Sequence, residues 1–279
     1  MGRYSQILGK IGPTCNPNNP CAGKYGKCLD LKLTNVCNGS CPFCIEAKGY
    51  SPNDTKDPQE LSDKINAQQI ETLLILGGEP LLYPDIVGLV SRIRRGIDVY
   101  LTTNGGLLTQ ELAKGLSPYL KGMNISIHHS TSAKNKELTK VALNGTRLYE
   151  CVQNFGPDKI RINCNLVKGY VDSKKEVDDM YDLVKRLRVK KIRFAELQNC
   201  PALSVDAGTI FDNLPSKPFQ EGCEVTIPKK GMEVVLRLTC GLVNKKKAKV
   251  KDPVGQLSQT LVMYSDGSTQ QGWGGVGCH

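Results

Sequence analysis

Three cysteines fall within eight residues, Cys37, Cys41 and Cys44 in "LTNVCNGSCPFCIEAKG". Thiolates are the soft ligands of zinc and of iron–sulfur clusters, so three at this spacing read first as a metal-binding loop. The spacing is Cys-x3-Cys-x2-Cys, and Gly39 and Pro42 supply the turns that let the sulfurs converge. A structural zinc site closes with four ligands, and no fourth Cys or His follows nearby. A four-iron cluster held by three thiolates leaves one iron without a protein ligand, open to a small molecule. Two plainer readings stand beside it: buried structural thiols, and a zinc knuckle completed from elsewhere in the chain.

The surrounding pattern must carry this loop. "LDLKLTN" reads as a strand running straight into it, which puts the thiols at the carboxyl end of a strand, where α/β folds gather their ligands. Strand-type runs follow at "TLLILGG", "DVYLTTNGG", "MNISIHHS", "KIRINCNLVKG" and "KKIRFAELQ", with helix-type runs such as "YPDIVGLVSRIRRG", "TQELAKGL" and "SKKEVDDMYDLVKRLR" between them. Six strands alternating with helices predict right-handed βαβ units and a parallel sheet curling into an open or partial barrel. Residues 1–28 are rich in Gly, Pro and Asn, carry Cys15, Cys21 and Cys28, and read as a loop extension. After Gln198 the pattern changes to two β-hairpins, turned at "KKG" and "DG". The expected organisation is therefore an N-terminal loop extension over 1–28, an α/β core over 29–198 and a small β-rich, cysteine-bearing extension over 199–279.

Composition narrows the function classes. The chain has 279 residues, 39% of them hydrophobic, and no apolar run near the roughly 20 residues of a membrane span, nor a secretory leader. This predicts a globular, cytoplasmic protein without a membrane partner, in which twelve cysteines serve metal or redox chemistry rather than disulfides. The net charge of +10 favours an anionic partner, nucleic acid included, although the runs Lys185 to Arg193 and Asn244 to Lys251 read as a solvated helix end and a solvated loop.

Strand alternation sorts the polar residues. Ile125 and Ile127 share one face while Asn124, Ser126 and His128 share the other; Ile162, Cys164 and Leu166 likewise oppose Arg161, Asn163 and Asn165. With helices outside, the polar set lines the lumen as a binding cavity, and Cys151 and Cys164 are core thiols.

The cysteine spacing, with Phe43 before the third cysteine, "GGEP" at Gly77 to Pro80, "LTTNG" and "SIHH", resembles the radical S-adenosylmethionine (SAM) enzymes over about residues 29–198. The resemblance implies a partial (β/α)6 TIM-like barrel. Cys37, Cys41 and Cys44 would hold a 4Fe-4S cluster whose open iron takes SAM; reductive cleavage then gives a 5'-deoxyadenosyl radical that abstracts hydrogen from a substrate. Glu79 would accept from the methionyl ammonium, Gly77 and Gly78 would let backbone approach the ligand, and Thr102, Asn104, Ser126 and Asn163 are candidates for its ribose and carboxylate. An electron donor such as flavodoxin or ferredoxin is implied.

Within that family the pattern is similar to the GTP 3',8-cyclase group of molybdenum cofactor biosynthesis and to the twitch and SPASM groups. Gln198 stands where the cyclases contact SAM, and Arg161 where they contact the triphosphate. The chain departs from the cyclases at Leu74, which replaces an arginine, and in lacking their C-terminal Cys-x2-Cys-x13-Cys. Cys200, Cys223, Cys240 and Cys278 are candidate ligands of a second, auxiliary cluster. Arg161 and His128 are the candidate substrate and catalytic residues. The expected substrate is anionic and nucleotide- or nucleic-acid-related. A peptide- or protein-modifying radical SAM enzyme with an auxiliary cluster is the alternative within the class, and a basic zinc-loop module binding nucleic acid the alternative outside it.

Overall fold

The computed structural model describes residues 28–44, 57–197, 200–212, 214, 224–238 and 261–271. Cys15, Cys21, Gln198, Cys223, Cys240, Cys278 and the run 244–251 lie outside the described residues. The six expected core strands form, as β1 (Cys28–Lys32), β2 (Thr72–Leu76), β3 (Asp98–Thr103), β4 (Gly122–Ser126), β5 (Ile160–Leu166) and β6 (Lys191–Glu196). They pair in parallel, each with the next in sequence. Cys28, read from sequence as the end of the loop extension, is instead the first residue of β1.

Helices α1 (Pro58–Asn66), α2 (Ile86–Ser91), α3 (Gln110–Leu116), α4 (Ser132–Thr139), α5 (Gly145–Phe155) and α6 (Lys174–Arg186) fill the crossovers. Their starts are set by side-chain caps. Asp57 accepts from the Gln59 and Glu60 amides with Pro58 at the first helical position, Thr109 accepts from Leu112, Asn144 from Arg147 and Ser173 from Glu176. Helix α6 shows why the helices lie outside: Val177, Met180, Tyr181 and Val184 recur at helical spacing and are all buried. They pack on the outward strand residues, including Ile162, Cys164, Ile192 and Phe194, in one continuous core. Among the described residues no helix is long and apolar enough to cross a membrane.

The C-terminal hairpins do not make a sheet of their own. Strands β7 (Glu224–Ile227) and β8 (Glu233–Arg237) pair antiparallel, as do β9 (Leu261–Tyr264) and β10 (Thr269–Gln271). Strand β8 then pairs parallel to β6 and β9 parallel to β1, giving one ten-stranded sheet in the order β10-β9-β1-β2-β3-β4-β5-β6-β8-β7. Each edge of the barrel sheet is thus extended by one hairpin.

Phe194 anchors the β6 side of the core. It is fully buried, edge-on to Tyr181 at 5.7 Å and tilted against Phe211 at 5.6 Å between ring centroids. Phe194→Ala is expected to cost about 3–5 kcal/mol in urea unfolding; a loss under about 1 kcal/mol would show that the β6 face is not close-packed.

Candidate active site

The loop after β1 is held chiefly by backbone. The Leu33 amide continues the β1–β2 ladder to the Leu76 carbonyl, the Gly78 amide donates to the Thr34 carbonyl at 2.6 Å, and the Glu79 amide donates to the Val36 carbonyl at 2.9 Å. These contacts explain the paired glycines. Gly77 has φ of +132°, and a Cβ there would lie 2.4 Å from the Thr34 oxygen; one on Gly78 would lie 2.2 Å from the Val36 oxygen. The glycines are required by the backbone of the cysteine loop itself, where the sequence reading invoked a ligand.

Glu79 is the knot of this arrangement. Its side chain is fully buried; Oε1 accepts from the Thr103 hydroxyl at 2.6 Å and the Leu81 amide at 3.0 Å, and Oε2 from the Asn104 amide at 2.7 Å. Burial pushes the carboxyl above its ordinary range, and the Asn104, Thr103 and Leu81 donors pull it back. Sequence reading aims this carboxylate at a ligand ammonium. The structure instead turns it inward, clasping the end of β2 to the end of β3, because three protein donors already claim it. Asn104 extends the clasp: its Nδ2 donates to Asn38 Oδ1 at 2.7 Å and lies 3.8 Å from Cys37 Sγ, which also accepts from the Gly39 amide at 3.3 Å.

From the other side, the Ser40 amide donates to the Thr139 carbonyl at 2.8 Å, and Gly39 is pressed against Val141 and Thr139. Phe43 is buried edge-on to the His128 ring at 4.9 Å. His128 Nδ1 accepts from the Asn165 amide at 3.0 Å and its own amide donates to Asn135 Oδ1, which assigns the proton to Nε2. Burial lowers the imidazole to about 4, so the ring is neutral at physiological pH. His128, expected as a catalytic residue, is built as a support for Phe43.

A cavity of about 350 Å³ opens inside the barrel at this end, lined by Cys37, Cys41, Phe43, Cys44, Gly77, Gly78, Thr102, Asn104, Ser126, His128 and Asn163, with Asn165, Arg193 and Arg237. Among the described residues, the structure therefore brings together most of those singled out from the sequence. Three of the described ones stand apart. Glu79 is enclosed behind the wall. Arg161, second residue of β5, lies at the strand end remote from the cysteines, near Glu224, Glu233 and Tyr100. Cys200, expected among auxiliary-cluster ligands, is buried in a small apolar cluster with Phe43, Leu138, Val167 and Leu197. Sequence reasoning missed Arg193 by assigning the whole run 185–193 to a solvated surface. The alternation of Ile192 and Phe194 with Lys191 and Arg193 is the signal that places Arg193 inside.

The donor set suits a 4Fe-4S cluster. Burial and then the neighbouring Cys44 and Cys37 push Cys41 up to about 12, so the thiols sit near enough to oppose one another as thiolates. A cationic metal centre removes that opposition and the desolvation cost together. Among the described residues the three side chains do not converge on one point. Backbone contacts fix their loop.

The comparisons agree with this geometry. The sequence model of the Radical SAM superfamily matches residues 31–184, more than half of the chain. Relatives include the GTP 3',8-cyclases of Aquifex aeolicus, 32% identical over 199 residues (67% of this chain, 59% of that protein), and of Alkaliphilus oremlandii, 31% identical over 183 residues (61% and 55%). The chain spans less than three-fifths of the length of these relatives. Solved structures similar in fold include Streptococcus suis SuiB bound to precursor peptide SuiA, with TM-score 0.53 and 21% identity over 67% of this chain and 42% of that one. Native anSMEcpe with bound AdoMet gives TM-score 0.54 and 16% identity over 87% and 73%.

Two outcomes follow from the clasp and the support. Glu79→Gln sets an amide N–H against the Asn104 amide, a donor facing a donor, and is expected to lower unfolding free energy by about 1–3 kcal/mol in urea titrations; an unchanged midpoint would mean the clasp holds nothing. His128 has its folded pKa depressed, so its stabilisation is present above its ordinary value of 6.5 and is lost as pH falls through about 4. His128→Asn keeps an acceptor for the Asn165 amide but cannot titrate. It should remove on the order of 3 kcal/mol of the acid sensitivity over that window, read as a flatter plot of unfolding free energy against pH; the same slope in both proteins would relieve His128 of this role.

Proposed function

The chain belongs to the radical SAM superfamily, a family of enzymes, and on that premise we propose that it cleaves SAM reductively and abstracts hydrogen from an anionic, nucleotide-related substrate. The observation that carries the reading is the interlock of the cysteine loop with Gly77, Gly78 and Glu79 at the mouth of a polar cavity. Zinc held by three thiols would not require that neighbouring loop to be shaped to it.

Cys37, Cys41 and Cys44 would hold the cluster, which when bound would supply a one-electron reductant for the cleavage of SAM. The chain's own residues do the rest. Gly77 and Gly78 present backbone to the cavity, while the Thr102 and Ser126 hydroxyls and the Asn104 and Asn163 amides orient SAM beside the cysteines. Glu79 acts indirectly, by holding the ends of β2 and β3 together. Phe43 on His128 closes the loop against water, which would otherwise quench a radical. Electrons come from an external donor such as flavodoxin or ferredoxin.

The names of the relatives and the charge of the chain support a nucleotide-related substrate. In this reading Arg161 adds positive potential from the remote end of the lumen. A second cluster would have to draw on Cys223, Cys240 and Cys278, outside the described residues, since Cys200 is committed to apolar packing.

Anaerobic reconstitution with iron, sulfide, SAM and dithionite should give 5'-deoxyadenosine. Cys37→Ala, Cys41→Ala and Cys44→Ala should each reduce its formation at least 100-fold, since two protein ligands do not retain the cluster. Wild-type yield from any one of them would remove that residue from the site.

A further inference from the structure

A second cavity, of about 490 Å³, lies on the outside of the barrel between α4, α5 and α6, and it shares no lining residue with the lumen. That volume is in the range of small-molecule sites. Its floor is apolar: Ile127, on the outward face just past β4, with Leu143, Leu148, Leu183 and Leu187. Its polar lining comes from half-buried or exposed side chains, His129, Ser130, Ser132, Thr146, Tyr149 and Arg186.

The charge at this cavity has one sign. No carboxylate lines it, and Arg186 is the only charged side chain among the described lining residues. Asp182, one turn before Arg186 on α6, pairs instead with Lys185 at 2.9 Å, and Arg186 has no hydrogen bond or ion pair among the described residues. Arg188 sits over the Tyr149 ring, 5.9 Å from guanidinium carbon to ring centroid, and adds a second positive charge nearby. His129 Nδ1 accepts from the Thr131 amide at 3.0 Å, which leaves Nε2 to donate. Apolar floor, hydroxyl and imidazole donors and a forked cation together suit a ligand with a hydrophobic body and an acid group. The basic run 185–193 therefore divides: Arg193 faces the lumen, while Arg186 and Arg188 stand by the outer cavity.

One wall of this cavity also holds the cysteine loop. Asn135 of α4 lines the cavity, is buried, and accepts through Oδ1 from the His128 amide at 2.8 Å. One turn on, the Thr139 hydroxyl donates to the Asn135 carbonyl at 2.7 Å, and the Thr139 carbonyl takes the Ser40 amide. An occupant resting on Ser132 and Asn135 thus bears on the helix that pins the cysteine loop and on the partner of the histidine that supports Phe43.

We propose that the outer cavity binds a small organic anion with an apolar body, its acid group at Arg186 and its body on the leucines, and that the occupant steadies the cysteine loop through α4. Binding itself is independent of the radical SAM reading; its meaning as regulation of that site rests on it.

The test uses the reconstituted full chain and the fluorescent anion anilinonaphthalene sulfonate as probe, with phenylnaphthylamine, the same rings without the acid group, for comparison. The sulfonate should bind saturably at one site per chain, Arg186→Ala should weaken it about tenfold or more and Arg186→Lys should restore part of the loss, while the exposed control Lys114→Ala changes nothing. Leu183→Trp should fill the cavity and abolish binding; should it fail to fold, Thr146→Trp at an exposed position and Arg186→Ala decide the matter. Equal sulfonate affinity in wild type, Arg186→Ala and Thr146→Trp would overturn the site, and equal affinity for phenylnaphthylamine would overturn the anion assignment. Hydrogen exchange of the peptide holding Ser40 should slow severalfold when the probe saturates wild type and stay unchanged in Arg186→Ala; unchanged exchange in wild type with the probe bound would overturn the coupling. 5'-Deoxyadenosine is measured on the same samples: its formation by wild type with no Arg186-dependent binding sinks this inference alone, and its absence with Arg186-dependent binding sinks the enzymatic reading alone.

Discussion

The site depends on one buried carboxylate and the two glycines before it. Gly77 and Gly78 let the β2 loop lie directly on the backbone of residues 34–36, and Glu79 then gathers donors from the β3 loop. The cysteine loop is irregular and carries few side chains able to anchor it, so its shape is borrowed from its neighbour. A Cβ at either glycine would meet a carbonyl oxygen well inside contact distance, so the two backbones could not keep this approach. The positions of Asn104, next to Cys37, and of Gly78, next to the Val36 carbonyl, are consequences of this single junction.

Much of this was legible in the sequence, for physical reasons that differ by residue. The six core strands announced themselves through β-branched and apolar runs of the right length between capped helices. Period-two alternation placed Ser126, His128, Asn163 and Asn165 on the cavity, because a strand covered by helices on its outside has only one face left for polar groups. What could not be read was which polar group faces a ligand and which faces the protein. Glu79 and His128 are spoken for by donors from Asn104 and Asn165, partners set by tertiary packing and not by spacing. The second helical segment shows the limit of pattern: "YPDIVGLVSRIRRG" reads as one helix, but only Ile86–Ser91 is helical. Arg193 was hidden by its company, a basic run that spans a solvated helix end and the start of a buried strand.

The extensions change the character of the lumen. A closed barrel of this size fills its interior with apolar layers. Here the sheet is open, and the hairpin beside β6 brings Glu233, Val235 and Arg237 to the same face as Lys191, Arg193 and Ala195. The interior therefore grades from soft sulfur ligands near β1 to hard, charged nitrogen donors near β6 and β8. One cavity holds two kinds of chemistry because its two walls come from different parts of the chain.

Strand β1, which launches the cysteine loop, is flanked on one side by β2 and on the other by β9, with Leu29 beside Leu261. These partners are roughly 230 residues apart in the chain. Among the described strands β1 is the first in sequence, and it carries an open edge until residues 261–264 have been made. An unpaired edge templates wrong pairings. Capture of β9 ends that exposure. The strand that launches the thiols is thus settled only by loop closure between residues 29–32 and 261–264.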